Sequence, residues 1–184
     1  MGGGEKVAYV LAAYLLGSIP CAYILVQCRR GIDIREYGSG NVGTMNTRLV
    51  MGWSAAIAVF MLDFLKGVLA WYLGVMSGIG GIELLCIAVL GHNFPFWLRF
   101  QGGKGLATAF GGVLVGGSWW VVLSFSLGWL LTYPWMRQVD RANIVGAVLM
   151  ALYAVWQSHN PAYIGLAVVV LLAHIRALIK AGNS

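Results

Sequence analysis

The sequence predicts an all-α integral membrane protein, a compact bundle of about seven transmembrane helices with its N-terminus outside and its C-terminus in the cytoplasm. Three observations predict it. Of 184 residues, 60% are hydrophobic and only 10% charged, against roughly 25% charged residues in soluble domains. Apolar runs of about one bilayer width follow one another along the chain. The basic residues fall in alternate connections, the asymmetry that orients membrane proteins. At about 20 residues per span there is room for at most about seven to eight crossings. Residues 1–184 are therefore expected to form a single transmembrane domain whose site is built from helix ends and short loops.

The first apolar run, Val7 to Val26, is too long for the hydrophobic region of a signal peptide and leads to no small-residue cleavage site, so a retained span is read over 6–28. Further spans are read over 52–77, 82–98, 104–118, 119–136, 143–158 and 160–180. The boundary inside Gly116-Gly117-Ser118-Trp119-Trp120 rests on a glycine turn beside tryptophans, which favour membrane interfaces. Arg29, Arg30, Arg35 and Arg48 separate the first two spans, Arg99 and Lys104 the third and fourth, and Arg137 and Arg141 the fifth and sixth; Arg176 and Lys180 close the last. The connections near Gly78, Gly117 and Asn160 carry neither Lys nor Arg. The basic connections thus share the cytoplasmic face. Gly74 and Gly78, and Gly112 and Gly116, stand at the i, i+4 spacing that lets membrane helices pack closely.

Composition also excludes some partners. The net charge of +6 is accounted for by loops facing anionic lipid, so no nucleic-acid partner is expected. Cys21, Cys28 and Cys86 are an odd set without metal-ligand spacing and read as small hydrophobes. The few carboxylates are scattered, so neither a metal nor any other cofactor is expected.

Two polar stretches mark the cytoplasmic face. In Tyr37-Gly38-Ser39-Gly40-Asn41-Val42-Gly43-Thr44-Met45-Asn46-Thr47-Arg48, glycines permit close backbone approach, Ser39, Asn41, Thr44 and Asn46 supply neutral donors, and Arg48 a bidentate one. In Gly102-Gly103-Lys104-Gly105, glycines surround one cation; their N–H groups can turn inward as an anion nest, and the helix-like run from Leu106 aims its N-terminal dipole at the same spot. The nucleotide P-loop pattern is not met, because Gly105 follows the lysine and the earlier glycine is missing, so ATP or GTP binding is not expected. Either stretch alone reads equally as an ordinary interfacial turn. Together, on one face, they suit a phosphorylated ligand.

Asp63 and Lys66 stand inside the second span at i, i+3. Ionisable groups there face a protein interior or a wet cavity, so the two either pair structurally or Asp63 orients a cation at the site. His92 and His174 fall at cytoplasmic span ends and are candidates for proton handling or phosphate hydrogen bonds, whereas His159 falls on the opposite face.

These residues carry a resemblance. Gly17-Ser18-Ile19-Pro20, the stretch from Gly38 to Asn46 with Arg48, Leu62-Asp63-Phe64-Leu65-Lys66-Gly67, and Gly91-His92-Asn93-Phe94-Pro95 through Gly102-Gly103-Lys104-Gly105-Leu106-Ala107-Thr108 resemble, in order, the bacterial PlsY-type acyl-phosphate:glycerol-3-phosphate acyltransferases. The resemblance implies a seven-helix bacterial inner-membrane enzyme, with its active site on the cytoplasmic side, that moves a fatty acyl group from acyl phosphate to the 1-hydroxyl of glycerol 3-phosphate, giving lysophosphatidic acid and phosphate. It matches the family's motif serine and arginine to Ser39 and Arg48, its phosphate loop to Gly102, Gly103, Lys104 and Gly105, and the histidine of its third motif to His174. Substrate or phosphate contacts are expected from Gly40, Asn41, Gly43, Thr44, Asn46, Asp63, Lys66, His92, Thr108 and Asn143.

The tail departs from the pattern. Family members resemble H-R-x-N-I-x-R-L-x-x-G-x-E there, but Ala177 stands at the asparagine position and no glutamate precedes Ser184. The segment Val139-Asp140-Arg141-Ala142-Asn143 lacks the family's usual serines, with Asn143 near where one is expected. Acyl phosphate is already activated, so the expected chemistry is positioning plus cations and N–H donors, with Lys104 and Arg48 on the phosphates and Ser39 and Asn46 on the reacting carbonyl or phosphate. The base stays open between His174, His92 and a substrate phosphate oxygen. A paralogue with another phosphate acceptor, an organic-phosphate or lipid transporter, and a non-catalytic lipid-binding protein are the alternatives; a transporter would show repeated halves and mid-membrane polar groups.

Overall fold

The computed structural model describes residues 2–157 and 160–182, which are helical with short connections; His159 lies outside the described residues. The helices are α1 (Gly3–Ser18), α2 (Cys21–Arg30), α3 (Thr44–Met51), α4 (Trp53–Met76), α5 (Gly81–Asn93), α6 (Leu106–Val115), α7 (Trp119–Met136), α8 (Val139–Gln157) and α9 (Ala162–Gly182). Single 3-10 turns sit at Ile34–Glu36 and Phe96–Leu98.

Membrane character is plain in the surface. Leu11, Leu62, Leu69, Leu123, Leu130 and Leu172 all stand exposed on helix flanks, as lipid-facing side chains do. Four segments, Trp53–Met76, Gly81–Leu98, Val139–Trp156 and Ala162–Lys180, are long and apolar enough to cross a bilayer, and the α1–α2 pair makes a fifth if read as one bent span. This is a multi-pass helical membrane protein.

Two expected spans take a different form. The run 6–28 is not one helix: Pro20 has no N–H to continue the ladder, and the chain bends by 40° between α1 and α2. The run 104–118 contains only the ten residues of α6, about 15 Å of helix and half a hydrocarbon core. Its start is held back by Gly105 in the left-handed region (φ 78°) and its end by Gly117 (φ 73°). In α7, length suffices, but Trp119, Trp120, Trp129 and Trp135 dilute its apolar character.

Glycines allow the bundle to close. A Cβ at Gly67 would strike the Thr108 carbonyl and one at Gly111 the Phe64 carbonyl, so α4 and α6 touch backbone to backbone. The i, i+4 glycines divide: Gly74, Gly112 and Gly116 are packed against Gly80, Leu85 and Trp71, whereas Gly78 (φ 62°) faces open space and serves a turn rather than a helix interface. The main core, around Leu85, Val89, Val113, Phe125, Leu166 and Val170, lies between α5, α6, α7, α8 and α9. A second cluster of Ala22, Val26, Ile34, Val42, Val59 and Leu98 lies under the first polar loop and anchors it.

Candidate functional site

The first polar loop is built around Asn46. Its Oδ1 accepts from the Ser39 N–H (2.8 Å), and its Nδ2 reaches the carbonyls of Ile34 (3.1 Å), Tyr37 (2.9 Å) and Asn41 (2.9 Å). Asn46 is fully buried. The expectation that it contacts substrate is therefore corrected: its polar atoms are all engaged by the loop, and it shapes the turn that presents Ser39, Gly40 and Asn41. Gly38 (φ 59°) and Gly40 (φ 65°) make that turn possible.

The glycine loop also differs from expectation. The Gly102 N–H donates to the Asn93 carbonyl (3.3 Å) and the Gly103 N–H to the His92 carbonyl (3.1 Å), so neither amide is turned toward a ligand. A Cβ at Gly103 would strike His92 Nε2, which explains the glycine by packing. The donors available to an anion lie two residues further on, at the start of α6, where the first N–H groups have no intrahelical acceptor and the macrodipole adds positive potential. Gly105, Leu106 and Ala107 line a cavity there.

Two adjoining cavities meet at this point. One, about 340 Å³, carries Arg48, Asn143, His174 and Lys104 beside apolar Met45, Leu49, Leu106 and Val139; Gly43, Thr44, Asp63 and His92 also reach it. The other, about 580 Å³, carries Arg35, Lys104, Arg176 and Lys180 with Gly40 and Gly102. Ser39, Asn41, Lys104 and Asp140 belong to both walls. The Nε of Arg48 is buried without a partner, and its guanidinium lies 5.0 Å over the Trp53 ring. Among the described residues, no three His, Cys, Asp or Glu side chains converge as a metal site.

Lys66, Gly103 and Thr108 line neither cavity. Lys66 is a structural cation. Its Nζ pairs with Asp63 Oδ1 (2.7 Å) and donates to the carbonyls of Ile19 (2.7 Å) and Gly17 (3.3 Å) at the break between α1 and α2; the Ile19 carbonyl also accepts from the Cys21 N–H (3.0 Å). His92 Nδ1 lies 3.4 Å from the same ammonium. The fully buried Thr108 presents its backbone carbonyl to Gly67 rather than a hydroxyl to a ligand.

His174 is also committed. The Val170 carbonyl, 2.9 Å from Nδ1, can only accept, so Nδ1 carries the proton; Nε2 then accepts from Asn143 Nδ2 at 3.0 Å. His174 and Asn143 thus form one fixed pair in the cavity wall.

Three contributors to the cavity walls were not singled out from the sequence. Asp140 pairs with the Lys104 ammonium. Arg176 straps the glycine loop, donating from Nη1 to the Phe100 carbonyl (3.0 Å) and from Nη2 to those of Asn93 (3.2 Å) and Gly102 (3.5 Å). Arg35 holds Asp33 from Nε at 3.0 Å to both carboxylate oxygens, which keeps the Asp33 carboxyl below its ordinary value and raises the guanidinium's own. Each was visible only as a charge at a span end.

A bent, broken-helix bundle enclosing a cation-lined cavity beside a partly apolar one defines a multi-pass membrane protein with a basic polar face. The family model described as Glycerol-3-phosphate acyltransferase matches residues 7–182. A glycerol-3-phosphate acyltransferase of Desulforamulus reducens is 36% identical over 167 residues, covering 89% of this chain and 83% of that protein. One of Thermoanaerobacter pseudethanolicus is 40% identical over 148 residues, covering 79% and 74%. The crystal structure of PlsY, an integral membrane glycerol 3-phosphate acyltransferase, in its glycerol 3-phosphate form superposes with a TM-score of 0.80 at 34% identity, covering 97% of this chain and 90% of that one; its lysophosphatidic acid form gives 0.77. The chain belongs to the glycerol-3-phosphate acyltransferase family.

Proposed function

We propose that this chain, folded as one transmembrane domain, transfers a fatty acyl group from acyl phosphate to the 1-hydroxyl of glycerol 3-phosphate, releasing lysophosphatidic acid and phosphate. The observation that carries the reading is the pair of adjoining cavities with one common wall of Ser39, Asn41, Lys104 and Asp140. Two phosphorylated substrates that must react need two anion-friendly spaces with a shared boundary. The cation-lined cavity suits glycerol 3-phosphate, and the cavity with apolar Met45, Leu49 and Leu106 suits the acyl donor entering from the bilayer.

In this reading Arg48 and the N–H groups at the start of α6 hold the donor's phosphate, Lys104 sits between the two phosphates, and Ser39 hydrogen-bonds the reacting carbonyl. The carbonyl is already activated, so catalysis consists of placing the hydroxyl against it and stabilising the charge that develops. No acyl-enzyme is required. The motif-bearing loops carry the Lys and Arg residues, which favours a cytoplasmic site in the inner membrane of a bacterium, with the N-terminus outside and the C-terminus inside.

A paralogue with a different phosphate acceptor is the second reading. Ala177, at the position of the family's third-motif asparagine, lines the cation-rich cavity and withdraws one acceptor contact. The deciding experiment is phosphate release from palmitoyl phosphate by purified protein, with and without glycerol 3-phosphate, with product identification. Acceptor-dependent release of phosphate with lysophosphatidic acid formed is expected. Release that glycerol 3-phosphate does not stimulate, in folded protein, would exclude this acceptor.

A further inference from the structure

Most of the cations in the cavity walls are fixed by the protein itself. Lys104 is held by Asp140, Arg35 by Asp33, and Arg176 by three backbone carbonyls. Arg48 is the exception among the arginines that line the cavities. Among the described residues no hydrogen bond or ion pair reaches its guanidinium, and its Nε is buried without a partner. A long side chain left so free would lose rotamer entropy each time it gripped a ligand. One contact limits that freedom: the guanidinium carbon lies 5.0 Å from the centre of the Trp53 ring.

The backbone is arranged to make this contact. α3 ends at Met51 and α4 starts at Trp53, so Gly52 alone forms the corner, with a φ of 84° that L side chains rarely adopt. A Cβ at Gly52 would meet nothing within 4 Å, so the glycine is required by conformation and not by space. Its N–H closes on the carbonyl of Arg48 itself at 2.9 Å, which ties the corner to the residue that Trp53 covers. Core packing does not account for the tryptophan, which is 63% exposed. Anchoring at a bilayer surface is the usual task of an exposed indole in a membrane protein, but it does not ask for a ring face on a cation in a cavity wall. Met45 and Leu49, one turn apart on α3 and also exposed, line the same cavity as Arg48. A placed cation and an apolar strip thus stand side by side, matching the two halves of an acyl phosphate.

Resting on the acyltransferase reading above, we propose that Trp53 is a positioning residue for the acyl donor. Its ring holds the Arg48 guanidinium in place without taking any of its N–H donors, so these stay free for the donor's phosphate while the chain lies along Met45 and Leu49. Trp53 itself lines neither cavity. It acts through Arg48, which is already placed when the phosphate arrives, and the gain is one of binding that ground and transition states share. The effect is selective. Affinity for acyl phosphate depends on Trp53, whereas affinity for glycerol 3-phosphate, in the cavity that Arg48 does not line, is independent of it.

The test compares wild type, Trp53→Phe and Trp53→Leu in acceptor-dependent phosphate release, titrating palmitoyl phosphate and glycerol 3-phosphate in turn, with the thermal midpoint in detergent as the control for folding. Leucine keeps an apolar, lipid-compatible side chain without a ring face, and phenylalanine keeps a weaker face. The expected result for leucine is a KM for palmitoyl phosphate raised about three- to thirtyfold, the range of a cation–π contact from exposed to desolvated. Its kcat and its KM for glycerol 3-phosphate should stay within about twofold of wild type, with the thermal midpoint held. Phenylalanine should fall between leucine and wild type. A leucine variant with an unchanged KM for palmitoyl phosphate would overturn the proposal. Equal rises in the leucine and phenylalanine variants, or a KM for glycerol 3-phosphate raised as much as that for the donor, would overturn it in favour of a packing or anchoring role. A wild type with no acceptor-dependent release would remove the acyltransferase reading itself, and this proposal with it, an outcome distinct from an active wild type matched by its leucine variant.

Discussion

The chain contains two lysine–aspartate pairs that look alike in sequence terms and do different things. Lys66 and Asp63 share one helix, are 5% and 3% exposed, and close the broken first span. Lys104 and Asp140 come from different elements, are 20% and 23% exposed, and stand in the wall common to two cavities. Burial separates the roles. The Lys66 pair is nearly all buried, with Asp63 touching the edge of one cavity, while the half-open Lys104 pair can exchange its partner for a ligand. An intramembrane charge therefore marks function only when the fold leaves it somewhere to reach.

The sharpest way to break this contrast is Lys66→Ala, which strands the buried Asp63 carboxylate and the Gly17 carbonyl. Removing one partner of a buried pair costs about 3–5 kcal/mol, so the variant should be recovered in low yield with a markedly lower thermal midpoint. Lys104→Ala is expected to do the reverse, lowering turnover about a hundredfold or more, as loss of one preorganised charge-stabilising group does, with the midpoint held near wild type. A Lys104→Ala protein with near-normal turnover would break the assignment of that pair to the site. Arg176→Ala removes three hydrogen bonds from the glycine loop; with charged bonds worth about 1.5–3 kcal/mol each at most, a KM for glycerol 3-phosphate raised roughly tenfold or more is expected from steady-state kinetics, with kcat less affected.

The smallest effect sharpens the comparison from outside. Asp33 and Arg35 form a third pair, about a quarter exposed and clear of the membrane spans. Arg35 lowers the Asp33 carboxyl below its ordinary value, so the stability it contributes is present above the unfolded-chain value and fades as pH falls through the lower folded value. Asp33→Asn should cost at most about 1 kcal/mol near neutrality, and the gap from wild type in denaturation midpoints should close at strongly acidic pH.

Much of the architecture was legible because hydropathy sums over twenty residues and survives local error. The membrane class comes from such sums, and the two polar loops from the clustering of glycines, neutral donors and basic residues between the apolar runs. Interruptions were harder to read. The break at Pro20 is announced by the residue itself, but the shortness of α6 depends on where Gly105 and Gly117 adopt positive φ, which the apolar run around them conceals. At the site, Ser39, Arg48 and Lys104 were legible as motif residues, and all three line the cavities. Asn46 and the Gly102 and Gly103 amides were misread because a loop rich in donors says nothing of which donors the loop itself consumes. Asp140 and Arg176 were missed because their partners lie 36 to 83 positions away, and only the packing of α8 and α9 brings them to the glycine loop.

The cap on the first bent helix has a consequence for how the molecule is made. The Gly17 carbonyl is reached by a lysine 49 positions later, which also adds a second donor to the Ile19 carbonyl already held by the Cys21 N–H. A nascent chain that has delivered α1 and α2 to the membrane still lacks the group that completes them. Until α4 emerges, the Gly17 carbonyl must borrow a donor from water or lipid headgroups, so the first helices to be synthesised cannot be the first to take up their final buried form.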